Sequence, residues 1–377
     1  MKNEAIIFDL LINLLKEYID QKGREFKIDE DDKELLQSFA VRNKVLPVLK
    51  EELTNINCNL LGSNSEQTSY TRRLYVKRFA MIKDVIDQFE KRNIRYAVLK
   101  GAYLGDTAYN NLSLREVNDI DILISQNDIK AVKEVCLECG FLPGKSDRVN
   151  KKIEHYSRRQ EIAFTRNTHQ IATMVKIDTD EILGFYDAVI DFNFKLSFGE
   201  YQGESILSDE FLEHTKRFTD SNGYAYNVLE APYNFIQLCL HAYKEANGLF
   251  FLKLNQGLFV RAFLDIYYYM IRMAKELDKD TIVKLVHKYK IASYVYFILI
   301  IVEELFDKEK NIHDLIQCVQ GEADQKIVQQ FGLEDEKCWN NISIKERFYS
   351  TKAVSCLEDQ ITDAENKKIE IAAKEFY

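Results

Sequence analysis

Apolar residues recur at helical spacing from the start of the chain. Ile6, Ile7, Leu10, Leu11, Leu14 and Leu15 form one set, and Leu35, Leu36, Phe39 and Val41 another. The pattern predicts amphipathic helices over 4–89, broken by a loop at 55–68 where Asn, Ser and Gly replace large apolar residues, with a long helix over 69–91. From Arg95 the period shortens: Tyr96-Ala97-Val98-Leu99 and Asp119–Ile124 read as strands, with helical character at 102–110 between them. A helix is expected over 128–139, closed by Gly140, the residue type favoured just past a helix C-terminus. Segments 161–166, 170–177 and 188–195 read as further strands. Beyond Val228 helices return, Pro232 suiting a first helical turn and Phe235, Ile236, Cys239, Leu240 and Tyr243 forming one face. The order predicts an α+β protein, with a mixed-sheet domain at 91–200 flanked by helical units at 1–90 and 225–377.

Composition agrees with a folded chain. With 377 residues, 46% hydrophobic and 29% charged, there is enough apolar material for a sizeable core. Only 14 Gly and 3 Pro are present, too few for the turns of an all-β sandwich. The net charge of −9 argues against a broad nucleic-acid surface, so an extended nucleic acid is not an expected partner. Seven scattered cysteines show no disulfide-scaffold spacing and fit a reducing cytoplasm. Cys136 and Cys139 form a C-x-x-C, but with no second pair to complete a zinc site they read as ordinary packing. The start of the chain shows no secretory signal. The longest apolar run, 291–302, is too short for a bilayer span and reads as a buried helix, so no membrane partner is expected.

The chemistry concentrates at Asn118-Asp119-Ile120-Asp121-Ile122-Leu123-Ile124. Side chains alternate along a strand, so Asp119 and Asp121 share one face while Ile120 and Ile122 share the other. Two carboxylates about 7 Å apart repel one another unless a cation lies between them, which is an arrangement suited to Mg²⁺ through hard oxygen ligands. D-x-D alone is short and common. Its weight comes from the neighbouring turn Lys100-Gly101-Ala102, where a glycine lets backbone amides approach a phosphate, Lys100 adds a charge, and Arg115 could add a bidentate one.

These residues resemble a known family. Val98-Leu99-Lys100-Gly101-Ala102, then Leu114-Arg115, then Asp119-Ile120-Asp121-Ile122-Leu123-Ile124, then Cys139-Gly140-Phe141 look like the uncharacterised nucleotidyltransferase family of the polymerase-beta-like superfamily. The likeness continues through 189–194, 238–242 and 263–267 and covers roughly residues 75 to 305. The resemblance implies metal binding by Asp119, Asp121 and a third carboxylate, which residue by residue is Asp191; Asp178 and Asp180 lie in a comparable region and stay open as alternatives. It implies Lys100, Gly101, Ala102 and Arg115 at the phosphates, Mg²⁺ or Mn²⁺ as cofactor, and a nucleoside triphosphate, ATP being the expected one, as substrate. It further implies transfer of a nucleoside monophosphate to a hydroxyl of an unidentified acceptor (small molecule, peptide, protein or RNA end) in a bacterial setting. Two departures stand out. The family's histidine after the third carboxylate is Asn193 here, and the superfamily's second glycine or serine at the phosphate turn is Ala102, which removes a hydroxyl contact. The second departure keeps an alternative open: a nucleotide-binding or partner-binding module without turnover.

Three other features read as structural. His241 lies on an apolar helix and could pair with Asp265. Tyr267-Tyr268-Tyr269 has the spacing of a packed helix, and the basic stretch 151–159, with His155, Arg158 and Arg159, reads as a solvated loop that could line an entrance for an anion.

Overall fold

The computed structural model describes residues 4–20, 29–56, 58, 61–62, 65–196, 206–254, 258–307, 309–332 and 337–376. The loop expected at 55–68 lies partly outside them. The chain divides into two compact units, one of residues 1–66 with 235–375 and the other of 67–234.

The first unit opens with α1 (Glu4–Asp20), α2 (Glu30–Arg42) and α3 (Leu46–Asn55). The apolar stripe of α1 is buried at Phe8, Leu11, Leu14 and Leu15, which offsets the entropy of ordering the helix. The second unit begins with the long helix α4 (Ser65–Lys91), followed by β1 (Tyr96–Val98), α5 (Gly101–Thr107) and β2 (Ile120–Ile124). Next come α6 (Ile129–Glu138), β3 (Leu142–Asp147), β4 (Lys152–His155), α7 (Arg158–Asn167), β5 (Met174–Asp180) and β6 (Gly184–Asn193). It closes with α8 (Ser208–Glu213), β7 (Thr215–Thr219) and β8 (Ala225–Leu229). Its eight strands form one mixed sheet in the order β4-β3-β5-β6-β2-β1-β8-β7. β2 is antiparallel to β1 and parallel to β6, and β8 lies parallel to β1.

The helices that follow are α9 (Ala231–Asn247), α10 (Leu249–Lys253), α11 (Val260–Arg272), α12 (Lys279–Tyr289), α13 (Ala292–Phe306) and α14 (Lys310–Val319). The short pair β9 (Gln330–Phe331) and β10 (Lys337–Cys338) precedes α15 (Thr351–Glu358) and α16 (Asp363–Phe376). α13 carries the long apolar run and is buried on most of its surface; Tyr267, Tyr268 and Tyr269 in α11 are fully buried. Asn43 ties this unit together, its amide nitrogen donating to the carbonyls of Phe39 and Phe348 while its oxygen accepts from Val260 N. Around Trp339 a smaller core forms from Leu252, Phe331, Ala353 and Cys356. Among the described residues no helix is long and apolar enough to cross a membrane. All seven cysteines are free.

The α+β class and the mixed sheet agree with the sequence reading, whereas several elements differ from it. Residues 158–167 are helical, not a strand at 161–166. Ser157 and Gln160 form a reciprocal capping box that starts α7, and of the alternating Ile162 and Phe164 only Phe164 is buried. The stretch 151–159 is not a loop but β4 and the first turn of α7. The compact units also differ from the expected division, because α4 clusters with the sheet and β7–β8 extend that sheet past residue 200. The β7–β8 hairpin turns at Asp220-Ser221-Asn222-Gly223, where Asp220 accepts from the amides of Asn222 and Tyr224 and Gly223 adopts φ +84°.

Candidate active site

The site lies where β1, β2 and β6 run side by side in the middle of the sheet. Tyr96, Ala97 and Val98 are buried, as a central strand requires, and Leu99 N donates to Asp121 O at 2.9 Å, keeping the chain in the sheet up to Lys100. At Lys100 the backbone turns sharply, with φ 42° and ψ −118°, a conformation costly for any residue with a Cβ. The residue is nonetheless well packed, at 8% exposure, with Nζ 2.9 Å from Asp121 Oδ2. Gly101 follows in a tight place: a Cβ there would lie 3.0 Å from Val117 Cγ1 and 3.6 Å from Arg115 Nη1, so a larger residue would have to displace the Val117 side chain. Ala102 is fully buried. The turn, Arg115 and Asp121 are thus brought together by one close approach.

Parallel pairing sets the carboxylates. Asp121 in β2 lies directly beside Asp191 in β6, and Asp119 stands just before β2 with its surface exposed. Burial, then the charges of Asp119 and Asp121, push Asp191 up to about 7 against the hydrogen bond from Thr173. The protein packed around Asp119, and then Asp121, likewise hold it above the ordinary carboxylate range. Thr173 Oγ1 donates to Asp191 Oδ1 at 2.6 Å, and Asn193 Nδ2 donates to Asp121 Oδ1 at 3.2 Å. Asn193 therefore supports Asp121.

Asp178 and Asp180 stand elsewhere. Thr173 lies beside Asp191, and five residues along β5, at about 3.3 Å each, put Asp178 roughly 16 Å away. Asp178 accepts from Tyr186 Oη, and Asp180 is held by Arg73, Lys77 and the amides of Ile182 and Leu183. Those amides and cations, that of Ile182 first, keep Asp180 well below the usual carboxylate range.

Carboxylates that raise one another's proton affinity and present only hard oxygen donors fit a divalent cation in chemistry. As they stand, no three His, Cys, Asp or Glu side chains among the described residues converge tightly enough to hold a metal ion, and Lys100 supplies the positive charge beside Asp121.

Sequence reasoning missed the frame behind these groups. Arg78 in α4 donates from Nε to Asp187 O at 2.7 Å, from Nη2 to Asp187 Oδ1 at 2.8 Å and from Nη1 to Val117 O at 2.8 Å. It thereby ties the 112–118 segment, which carries Arg115 into Asp119, to β6. Arg148 closes on the other oxygen, Asp187 Oδ2, at 2.9 Å. Burial pushes Asp187 up, but Arg148, Ser146 and Arg78 more than offset this and hold it below the ordinary value. The only sequence signal was parity: Asp187 and Asp191 are four residues apart on one strand. Beside this frame a cleft of about 170 Å³ opens between α4 and the 112–118 segment, lined by Tyr70, Leu74, Arg78, Leu112, Arg115 and Asn118.

Elsewhere, His241 Nε2 lies 2.9 Å from Glu245 in its own helix, and Cys136 is buried, its thiol pushed up by that burial.

This chain is a nucleotidyltransferase. It belongs to the uncharacterised nucleotidyltransferase family, whose sequence model matches residues 29–307. The family read from the lysine-glycine and D-x-D motifs is the one matched. No curated protein matches the chain.

Proposed function

We propose that the sheet unit has the polymerase-beta-like fold and transfers a nucleoside monophosphate from a nucleoside triphosphate, ATP being the expected donor, to an acceptor hydroxyl. The observation that carries this reading is the pairing of Asp121 with Asp191, with Asp119 alongside and Lys100, Gly101 and Arg115 gathered at the adjoining turn. Lys100 and Arg115 orient the triphosphate, and the glycine gives its backbone room to approach. The acceptor oxygen attacks the α-phosphorus in line; the new O–P bond forms as the bond to the β-phosphate oxygen breaks, and pyrophosphate leaves. Asp191 accepts the hydroxyl proton. Asp119, Asp121 and Asp191 would have to draw together to hold Mg²⁺ or Mn²⁺, which when bound supplies Lewis-acid stabilisation of the phosphate charge. Much of the acceleration then comes from placement and electrostatics. Seven free cysteines support a cytoplasmic location.

The test is incubation of the full chain with Mg²⁺ or Mn²⁺ and each labelled ribonucleoside triphosphate, with and without cell extract, following pyrophosphate release and label transfer. The expected outcome is transfer that is lost, by about a hundredfold or more, in the Asp119→Ala, Asp121→Ala variant. A second reading, a nucleotide-binding module without turnover, is favoured by the Lys100–Asp121 ion pair and the buried Ala102. Tight triphosphate binding with no transfer under any condition would establish it in place of the first.

A further inference from the structure

Between residues 142 and 166 the chain carries seven Lys or Arg against three Asp or Glu, a net of +4 in a protein whose total is −9. The fold gathers this stretch at the β4 edge of the sheet as β3, β4 and α7. Arg148, Lys151, Lys152, His155, Arg158 and Arg159 are all exposed there. Arg148 is engaged by Asp187, and Lys152 reaches Asp147 and Glu154 only at 4.0 Å. Like charges held together at an exposed edge, on a molecule otherwise strongly negative, make a local attractive field for an anion.

A row of residues lying side by side across four strands joins this patch to the candidate active site. Thr173 Oγ1 donates to Asp191 Oδ1 at 2.6 Å, Gly144 N donates to Thr173 O at 3.1 Å, and Gly144 pairs directly with His155. Gly144 permits the approach, since a Cβ there would lie 2.5 Å from Glu154 O. With strands about 4.8 Å apart, the row puts His155 roughly 15 Å from Asp191, and Arg158 and Arg159 follow it in the chain at the start of α7. A ligand that offers a hydroxyl to Asp191 and an anionic group to those cations must span that distance, which about five extended residues do.

We propose that β3, β4 and the first turn of α7 form the acceptor-binding surface, and that the acceptor is an acidic peptide segment of a protein presenting a hydroxyl side chain to Asp191. This rests on the transfer reading above and names the substrate class it leaves open. Aliphatic side chains sit among the cations, Val149 at 89% exposure and Ile162 at 43%, which suits a peptide's mixture of charged and apolar groups. A nucleic acid would draw on aromatic platforms, but the tyrosine of the stretch, Tyr156, packs its ring 5.1 Å from Phe164.

The experiment uses the full chain and a fluorescein-labelled copolymer of Glu and Tyr, with labelled oligouridylate of matched length as the comparison, read by anisotropy at low and high salt. The copolymer is expected to bind in a salt-sensitive way. Two separate charge reversals, Arg158→Glu with Arg159→Glu and Lys151→Glu with Lys152→Glu, should each weaken it by about tenfold or more while melting temperature and ATP binding stay unchanged. The Asp119→Ala, Asp121→Ala variant should keep copolymer binding while losing label transfer, so failure of the transfer reading is distinguishable from failure of the surface. No copolymer binding, tighter binding of oligouridylate, or loss of ATP binding in the charge-reversed variants would overturn the proposal.

Discussion

Lys100 holds a backbone conformation that glycine adopts freely, with its charge placed against Asp121. Strain at such a position persists only when the surroundings enforce it, here the strand pairing through Leu99 and the tight packing at Gly101. Two substitutions separate backbone from charge. Lys100→Ala loses the charge and keeps the strain; Lys100→Gly loses the charge and relieves it. Denaturant unfolding should therefore find Lys100→Gly more stable than Lys100→Ala by about 1 kcal/mol, against glycine's usual entropic disadvantage, while both bind ATP more weakly than the parent. Equal stability of the two would mean that the turn stores no strain. The motif was legible in the sequence as a phosphate turn, but its strain was not, because φ depends on what the flanking strand and Val117 allow.

α4 is where the elements depend on one another most. Its alternating buried positions make it look like one more amphipathic helix, yet Arg78, 8% exposed, joins α4, β6 and the 112–118 segment through three hydrogen bonds. Removing it leaves Asp187 buried with Arg148 as its remaining cation and unpairs Val117 O from the side chain. Arg78→Ala should cost about 3–5 kcal/mol by denaturant unfolding and lower kcat/KM by more than about tenfold. Arg78→Lys, which cannot make the forked contacts, should recover only part of either. An unchanged kcat/KM in stably folded Arg78→Ala would show that this tie plays no part in placing Arg115 and Asp119. At this scale the sequence misled at 161–166, where Ile162 and Phe164 alternate as in a strand. The capping box at Ser157 and Gln160 decides for helix, because it satisfies amides that a strand would pair elsewhere.

The stability of the whole molecule is tied to the acidic site. Asp191 stands at about 7 in the folded protein, above the roughly 3.9 of an unfolded aspartate, so the folded state holds the extra proton between these values. The contribution of Asp191 to the stability of the metal-free protein therefore falls as pH rises from about 4 to about 7 and levels off above. Asp191→Asn removes this loss. Its melting temperature should match the parent's near pH 4 and exceed it above pH 7, by about 1–2 °C for each kcal/mol of repulsion relieved. A difference between variant and parent that fails to grow through that window would contradict the arrangement.

The sequence by itself determined what short-range chemistry decides: a largely helical α+β chain, the buried run that became α13, the turn at Gly101, and Asp121 on a strand that Asp119 immediately precedes. Periodicity and residue type are local, and so are these conclusions. The tertiary structure decided what depends on distant pairing. The parallel register of β2 and β6 put Asp191, rather than Asp178 or Asp180, beside Asp121. β7 and β8 completed the sheet beyond its expected end. Arg78 and Arg148 converged on Asp187 across more than one hundred residues for the first and 39 for the second. No spacing in one sequence encodes such contacts directly, because side chains far apart along the chain meet only after the sheet has fixed which strands are neighbours.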